Sequence, residues 1–414
     1  MKVDGDRLGH LDRQASVSER RASKQQDAGM NRRSSHRSVL VVTWGGGGNL
    51  PPLLAAGKLL AARDYDVRVL VSAATRQPVL RAGFEVVGYR RARDPDLDVA
   101  FEEQARQLMA AAAGADVAFD VCDVVAELRP ELVIVDCMLP AGIAAGEATG
   151  TPTASLVHFC YGLARTQMLR GAGAWTTDRA QLNLTRSGLG LEPAKDDLAA
   201  WESAELLLVT VPTWFDLAAN YPANVVHAGP LGVTRPTHVG GTPRGRPLVL
   251  LSFSTTVMRG QMALIQRVCD ALAADDADAI LTLGPAVSAA ELRISGNVEA
   301  APYADHDQLL PRCAAIVTHG GLGTTLRALA HGKPLLLLPL GRDQQFNAGR
   351  VVELGAGIQL PLEASPSEIA SALRELLTQP QFTEGAESAA EAIAAHEPDE
   401  TATEALISLA HLAT

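Results

Sequence analysis

The chain has 414 residues, of which 47% are hydrophobic, 20% charged and 4% aromatic, and it carries a formal net charge of -11. That length exceeds one ordinary core and suits two domains, and the aliphatic, Ala- and Gly-rich composition is that of an α/β protein. The acidic balance argues against non-specific nucleic-acid binding, no apolar run is long enough to span a membrane, and the five cysteines lack short paired spacing, so they read as reduced packing residues.

Residues 1–36 are polar and charged, without the apolar stretch of a signal peptide, and are expected to form a disordered leader on a cytoplasmic protein. From there strands and helices alternate. "SVLVVTW" (38–44) is a β-branched apolar run that stops at four glycines, after which Leu50 opens a stretch of helical periodicity. Further strands are expected at 66–73, 131–138 and 152–159, giving a Rossmann-like domain over 37–228. The Pro-, Gly- and Thr-rich segment 229–246 lacks apolar periodicity and reads as a linker. Alternation restarts with strands at 248–254, 279–284, 314–321 and 334–340 and a helix near 260–274, which makes a second Rossmann-like domain over 247–395. Residues 396–414 close the chain as an amphipathic helix. The expected fold is α/β, two doubly wound parallel sheets facing a central cleft.

The densest chemistry lies in 316–349. A strand ends at His319, Gly320 and Gly321 allow close backbone approach, and Gly323 to Thr325 open a helix whose free N–H groups and dipole suit a phosphate. His319 and Thr324 can add donors. A glycine turn with a threonine cap would leave the same letters. After the next apolar strand, however, "LGRDQQFNAG" brings Asp343, Gln344 and Asn347 to a second strand terminus, and carboxylate and carboxamide groups there suit paired sugar hydroxyls.

The run "THGGLGTTLRALAHGKPLLLLPLGRDQQFNA" resembles the C-terminal signature of the GT-B inverting glycosyltransferases of family 1 type. Within that family the resemblance is strongest to bacterial enzymes that decorate antibiotics and other secondary metabolites using UDP- or TDP-sugars, and it extends over nearly the whole chain after residue 37. It implies that His319, Gly321, Gly323 and Thr324 hold the donor diphosphate, and that Asp343 and Gln344 bind the donor sugar. "LLSFSTT" (250–256) looks like the first strand and loop of the family's nucleotide domain, which would bring Ser254 and Thr255 to the phosphates, although a helix cap would read alike. "APYADHDQLLPRC" (301–313) resembles the nucleobase loop, with Tyr303 at the stacking position and Asp305 where proline is usual. Plant-type relatives place a glutamate on the ribose hydroxyls where this chain has Arg327, so a TDP-sugar is favoured over a UDP-sugar as co-substrate. No cofactor or metal is expected, since the acidic clusters at 94–98 and 275–278 read as solvated.

An inverting transfer needs a base for the acceptor and a stabilised leaving diphosphate. The family supplies the base as a histidine in a Gly-His-two residues-Pro loop, and aligning Pro51 with that proline puts Gly48 in the histidine's place. Asp136 matches the aspartate that normally orients this histidine and becomes the favoured base, its pKa expected to rise through partial burial. His158, at another strand end, ranks second, and an acidic phenol or carboxyl acceptor would need no strong base. Trp44, Gly48, Asn49 and Phe159, with Tyr161, are expected to border the hydrophobic acceptor beneath the variable segment 160–200. The alternatives are a nucleotide-sugar epimerase of related architecture and a catalytically silent sugar-nucleotide-binding helper. A homodimer is left open.

Overall fold

Runs rich in valine, leucine and isoleucine become parallel strands covered on both faces, which is why they read as continuous rather than alternating apolar stretches. The protein is seen in a computed structural model that describes residues 37–412 apart from 46, 95–100, 171–177, 217–220, 235–244, 257, 274–275, 285–286 and 303. The leader, most of the linker and part of the acceptor-covering segment therefore lie outside the described residues.

The first sheet contains β1 (Ser38–Val42), β2 (Asp66–Val71), β3 (Glu85–Gly88), β4 (Leu132–Asp136), β5 (Thr153–Val157), β6 (Leu206–Val209) and β7 (Val225–His227), in the order β3-β2-β1-β4-β5-β6-β7. The second contains β8 (Leu248–Ser252), β9 (Asp278–Thr282), β10 (Val298–Ala301), β11 (Ala315–Thr318), β12 (Leu335–Leu337) and β13 (Gly357–Gln359), in the order β10-β9-β8-β11-β12-β13. Their pairings are parallel throughout. Strand order reverses between β1 and β4 and again between β8 and β11, so a crevice opens beyond the carboxyl ends at each place.

Every expected strand is present but ends two or three residues early. The chain leaves the ladder where glycine, proline or a polar group takes over, and those trailing residues form the loops of the crevice. The edge strands β3 and β10 had no apolar signature to read, because much of each is exposed or half-buried.

The last helix, Pro398–His411, returns to the first sheet. Its Ala402, Leu406, Leu409 and Ala410 share a core with Val39, Leu53 and Leu208. All five cysteines are free, four of them buried and Cys122 half-buried. Among the described residues no helix is long and apolar enough to cross a membrane.

Candidate active site

On the second sheet, His319 is the first residue past β11, and the turn after it depends on two glycines. Gly320 has φ +84°, and a Cβ there would lie 3.2 Å from the Gln344 carbonyl oxygen. A Cβ on Gly321 would lie 2.7 Å from His319 Nε2, so the imidazole rests where any larger residue would place its side chain. Gly321 caps the helix Leu322–Ala330 without a side-chain bond, leaving first-turn N–H groups available to an anion. Gly323 differs: its φ is ordinary and a Cβ would meet nothing within 4 Å, so it faces open space. Thr324 is half-buried in the same turn. Burial, with the nearby Arg342 charge, outweighs a hydrogen bond to the Ser252 backbone and lowers the His319 pKa to about 4. The ring is therefore neutral at ordinary pH, and its single N–H is the one engaged by the Ser252 backbone.

The loops around this helix start are internally braced. The Ser254 hydroxyl accepts the Thr256 amide at 3.1 Å, and Gln261 Nε2 donates to the Ser254 carbonyl at 3.0 Å. Ser254 thus folds its own turn and is not a helix cap, the following helix starting at Gln261. Thr255 meets the first domain: a Cβ on Gly47, whose φ is +83°, would lie 2.5 Å from its Oγ1. Part of the four-glycine loop is therefore glycine because it passes close over the second domain.

Asp343 accepts from Asn347 Nδ2 at 3.0 Å, and burial raises its carboxyl pKa. Asn347 also donates to the Gly320 carbonyl at 3.0 Å, tying the two loops together. Gln344, expected on the sugar, is buried and largely committed to its own turn. Its Oε1 accepts the Leu340 amide at 2.7 Å and the Gly341 amide at 3.1 Å, because this tight bend points both N–H groups inward. Within the bend Arg342 has φ 57°, a left-handed conformation uncommon for a side-chain-bearing residue. Sequence reasoning passed over Arg342; its only signal was a cation between Gly341 and Asp343.

Tyr303 lies outside the described residues. Asp305, standing where proline is usual in the family, caps the helix His306–Leu309, accepting the Asp307 amide at 3.0 Å. Arg327 pairs with Asp307, which also meets His331 Nε2 at 3.0 Å and accepts the Thr234 amide at 3.2 Å. Burial opposes ionisation of Asp307, but these partners prevail and lower its pKa to about 2. The acidic segment near 276 is likewise engaged, Arg246 lying 2.9 Å from Asp276 and 3.6 Å from Asp278.

On the first sheet, Asp136 ends β4 and is 1% exposed. Its Oδ1 accepts the Met138 amide at 3.0 Å and lies 3.2 Å from His158 Nε2, while its Oδ2 accepts from Asn49 Nδ2. The side chain on Asp136 is thus Asn49 and not position 48, where a Cβ would meet nothing within 4 Å. Counting the family's proline as Pro52 puts Asn49 in the histidine's place. The reason is local: residue 49 starts the helix Leu50–Ala61 and turns its side chain inward.

The charge on the pair also differs from expectation. Burial works to raise the Asp136 pKa, but His158, Asn49 and the Met138 amide outweigh it and leave it lowered. Burial disfavours the His158 imidazolium, yet Cys137 and Asp136 beside it hold its pKa well above the ordinary histidine value. The His158 side chain retains 16% exposure. Trp44 and Phe159, expected as acceptor walls, are buried and pack on Tyr89 and Trp201 at ring separations of 4.8 and 5.4 Å, because a chain this aliphatic draws its few large rings into the core. Tyr161 is buried too, its hydroxyl bonded to Glu202.

The two walls meet. Cys160 Sγ donates to Asn347 Oδ1 at 3.8 Å, Arg350 donates to the carbonyls of Trp214 and Phe215 at 2.7 and 3.1 Å, and the His158 charge acts on Asp343. A phosphate-taking helix start on one wall of a crevice, with a histidine–aspartate pair on the other, suits group transfer from a phosphorylated donor, and two such sheets are the architecture of the GT-B glycosyltransferases.

Known proteins agree. The sequence profile described as erythromycin biosynthesis protein CIII-like, C-terminal domain, matches residues 266–409. The TDP-daunosamine transferase of Streptomyces peucetius is 26% identical over 381 residues, 79% of this chain and 86% of that protein. Among solved structures, the glycosyltransferase of kitacinnamycin aligns with a TM-score of 0.75 at 22% identity, covering 90% of this chain and 98% of that one. Glycosyltransferase VinC, solved in complex with dTDP, aligns with a TM-score of 0.70 at 22% identity, covering 91% and 100%. The chain has the GT-B fold and is similar in sequence to transferases of antibiotic biosynthesis.

Proposed function

We propose that the protein moves a sugar, with inversion, from a nucleoside diphosphate to a hydroxyl, phenol or carboxyl of a hydrophobic natural product, using no cofactor or catalytic metal. The observation that carries this reading is the His158–Asp136 pair, set opposite Asp343 across the crevice. His158 is the base. Its ring is the less buried of the two, whereas Asp136 is enclosed and acts by orienting the imidazole and stabilising the imidazolium that forms. This reverses the order expected from sequence.

In the step itself, the acceptor O–H gives its proton to the neutral form of His158, which the raised pKa makes the minor but more basic form, while its oxygen bonds to the anomeric carbon. The bond from that carbon to the diphosphate oxygen breaks, and the charge left on the diphosphate is met by the N–H groups at Gly321 to Thr324 and the Thr324 hydroxyl, while neutral His319, its N–H on the Ser252 backbone, packs against Gly321 and holds the turn. Asp343 remains the candidate for the sugar hydroxyls, with Gln344 contributing mainly by holding the loop. A TDP-linked donor is favoured: a TDP-sugar names the first relative, and Arg327, where other relatives carry a ribose-binding glutamate, is engaged by Asp307.

The test is incubation with a panel of TDP- and UDP-sugars and phenolic or hydroxylated acceptors, following glycoside and free nucleotide together. Transfer is expected, with TDP-sugars preferred. Donor binding with neither product across the panel would instead support the silent helper, and an epimerised donor without glycoside the epimerase.

A further inference from the structure

Cys137 takes no part in that step, yet it adjoins the groups that do. Among the described residues, Asp136, Cys137 and His158 offer a carboxylate oxygen, a sulfur and a ring nitrogen that all lie within 4.8 Å of one another. Asp136 Oδ1 and His158 Nε2 are 3.2 Å apart. Two ligands on bonds of about 2.0 Å at a tetrahedral ion stand about 3.3 Å apart, so this pair is already at ligand spacing. The carboxylate is held from behind by Asn49 on Oδ2 and by the Met138 amide, the outer support that fixes a ligand's orientation. Sulfur, imidazole and carboxylate together select a borderline ion such as Zn2+ over Mg2+ or Ca2+, which prefer oxygen alone. With three protein ligands, the fourth position is left on the side of His158, the least buried member of the cluster.

We propose that Asp136, Cys137 and His158 form a binding site for a zinc-class divalent ion, and that such an ion switches the transferase off by taking the imidazole lone pair. On binding, metal–sulfur, metal–nitrogen and metal–oxygen bonds form, the thiol and any imidazolium proton leave to solvent, and nothing is oxidised or reduced. The binding stands on the geometry alone, whereas the switch rests on His158 being the base.

Co2+ titrated into the full-length protein reports the site by sulfur-to-cobalt charge-transfer absorption. The band is expected in the wild type and in Cys122→Ser, and should vanish in Cys137→Ser, or in Cys137→Ala should the serine variant fail to fold. Zn2+ should inhibit wild-type transfer, a chelator should restore it, and the Cys137 variant should need at least about tenfold more Zn2+ for the same inhibition. No charge-transfer band in the wild type, or one that survives loss of Cys137, overturns the site without touching the assignment of the base. A metal bound through Cys137 with undiminished transfer overturns the switch, and with it the role of His158.

Discussion

The two walls of the crevice are built on different plans. The second wall draws its candidate anion-binding groups from one short run, His319 to Thr324, and most of them are backbone N–H groups left free by glycines at a helix start. The first wall assembles three side chains from three places, Asn49 lying 87 residues and His158 22 residues from Asp136. A site made of local backbone leaves a readable pattern of glycines. A site made of distant side chains leaves only isolated polar letters, whose partnership depends on β1, β4 and β5 lying side by side.

The strongest way to break this contrast is at the first wall. His158→Gln should lower kcat by about 10²–10⁴-fold while calorimetry finds TDP affinity unchanged, and Asp136→Asn should behave alike because it removes the charge that supports the imidazolium. Turnover retained in His158→Gln but lost in Asp136→Asn would make the aspartate itself the base.

At the second wall the backbone plan is sharpened by Gly321→Ala. Its Cβ would have to displace the His319 ring, at a cost of about 2 kcal/mol, so nucleotide affinity should fall by more than tenfold. Gly323→Ala should leave the melting temperature nearly unchanged and still weaken nucleotide binding, since only a ligand would occupy the space before it. Equal loss of stability in both variants would remove that distinction.

A smaller effect concerns the brace that Asp307 forms with Arg327 and His331. Because the Asp307 carboxyl is lowered to about 2, its ion pairs stabilise the fold fully above the unfolded carboxylate value near 4. That contribution, about 2 kcal/mol at most, is lost as pH falls from about 4 to about 2. Denaturation of Asp307→Asn across this range should show a flatter pH dependence than the wild type.

Smallest is a test within the glycine loop. Gly47→Ala meets both a positive φ and Thr255 and should cost about 1 kcal/mol or more, whereas Gly48→Ala should stay within about 0.5 kcal/mol in thermal unfolding. Equal sensitivity at both positions would contradict the close approach of the two domains at Gly47.

Much of the architecture was legible because parallel strands buried on both faces must be apolar along their length, as in "SVLVV" and "LVIVD". The helix start at 319–324 was legible for the same kind of reason, a local geometry that few residues permit. Gln344 was misread because its carboxamide would look the same whether it met a sugar or two amides of its own bend. The pKa of Asp136 was misjudged because burial alone argues for a rise, and the donors that reverse it come from elsewhere in the chain. Arg342 and Cys137 gave no motif at all, one drawing its interest from backbone strain and the other from proximity.

By itself, then, the sequence determined the two-sheet α/β fold and the glycine-rich helix start, since periodicity and backbone freedom act over a few residues. Only the tertiary structure decided that Asn49 and not Gly48 faces Asp136, that His158 closes the pair, and that the last helix returns to the first sheet. Those outcomes depend on strand order and on which buried polar group finds a partner, and neither is encoded in the spacing along the chain.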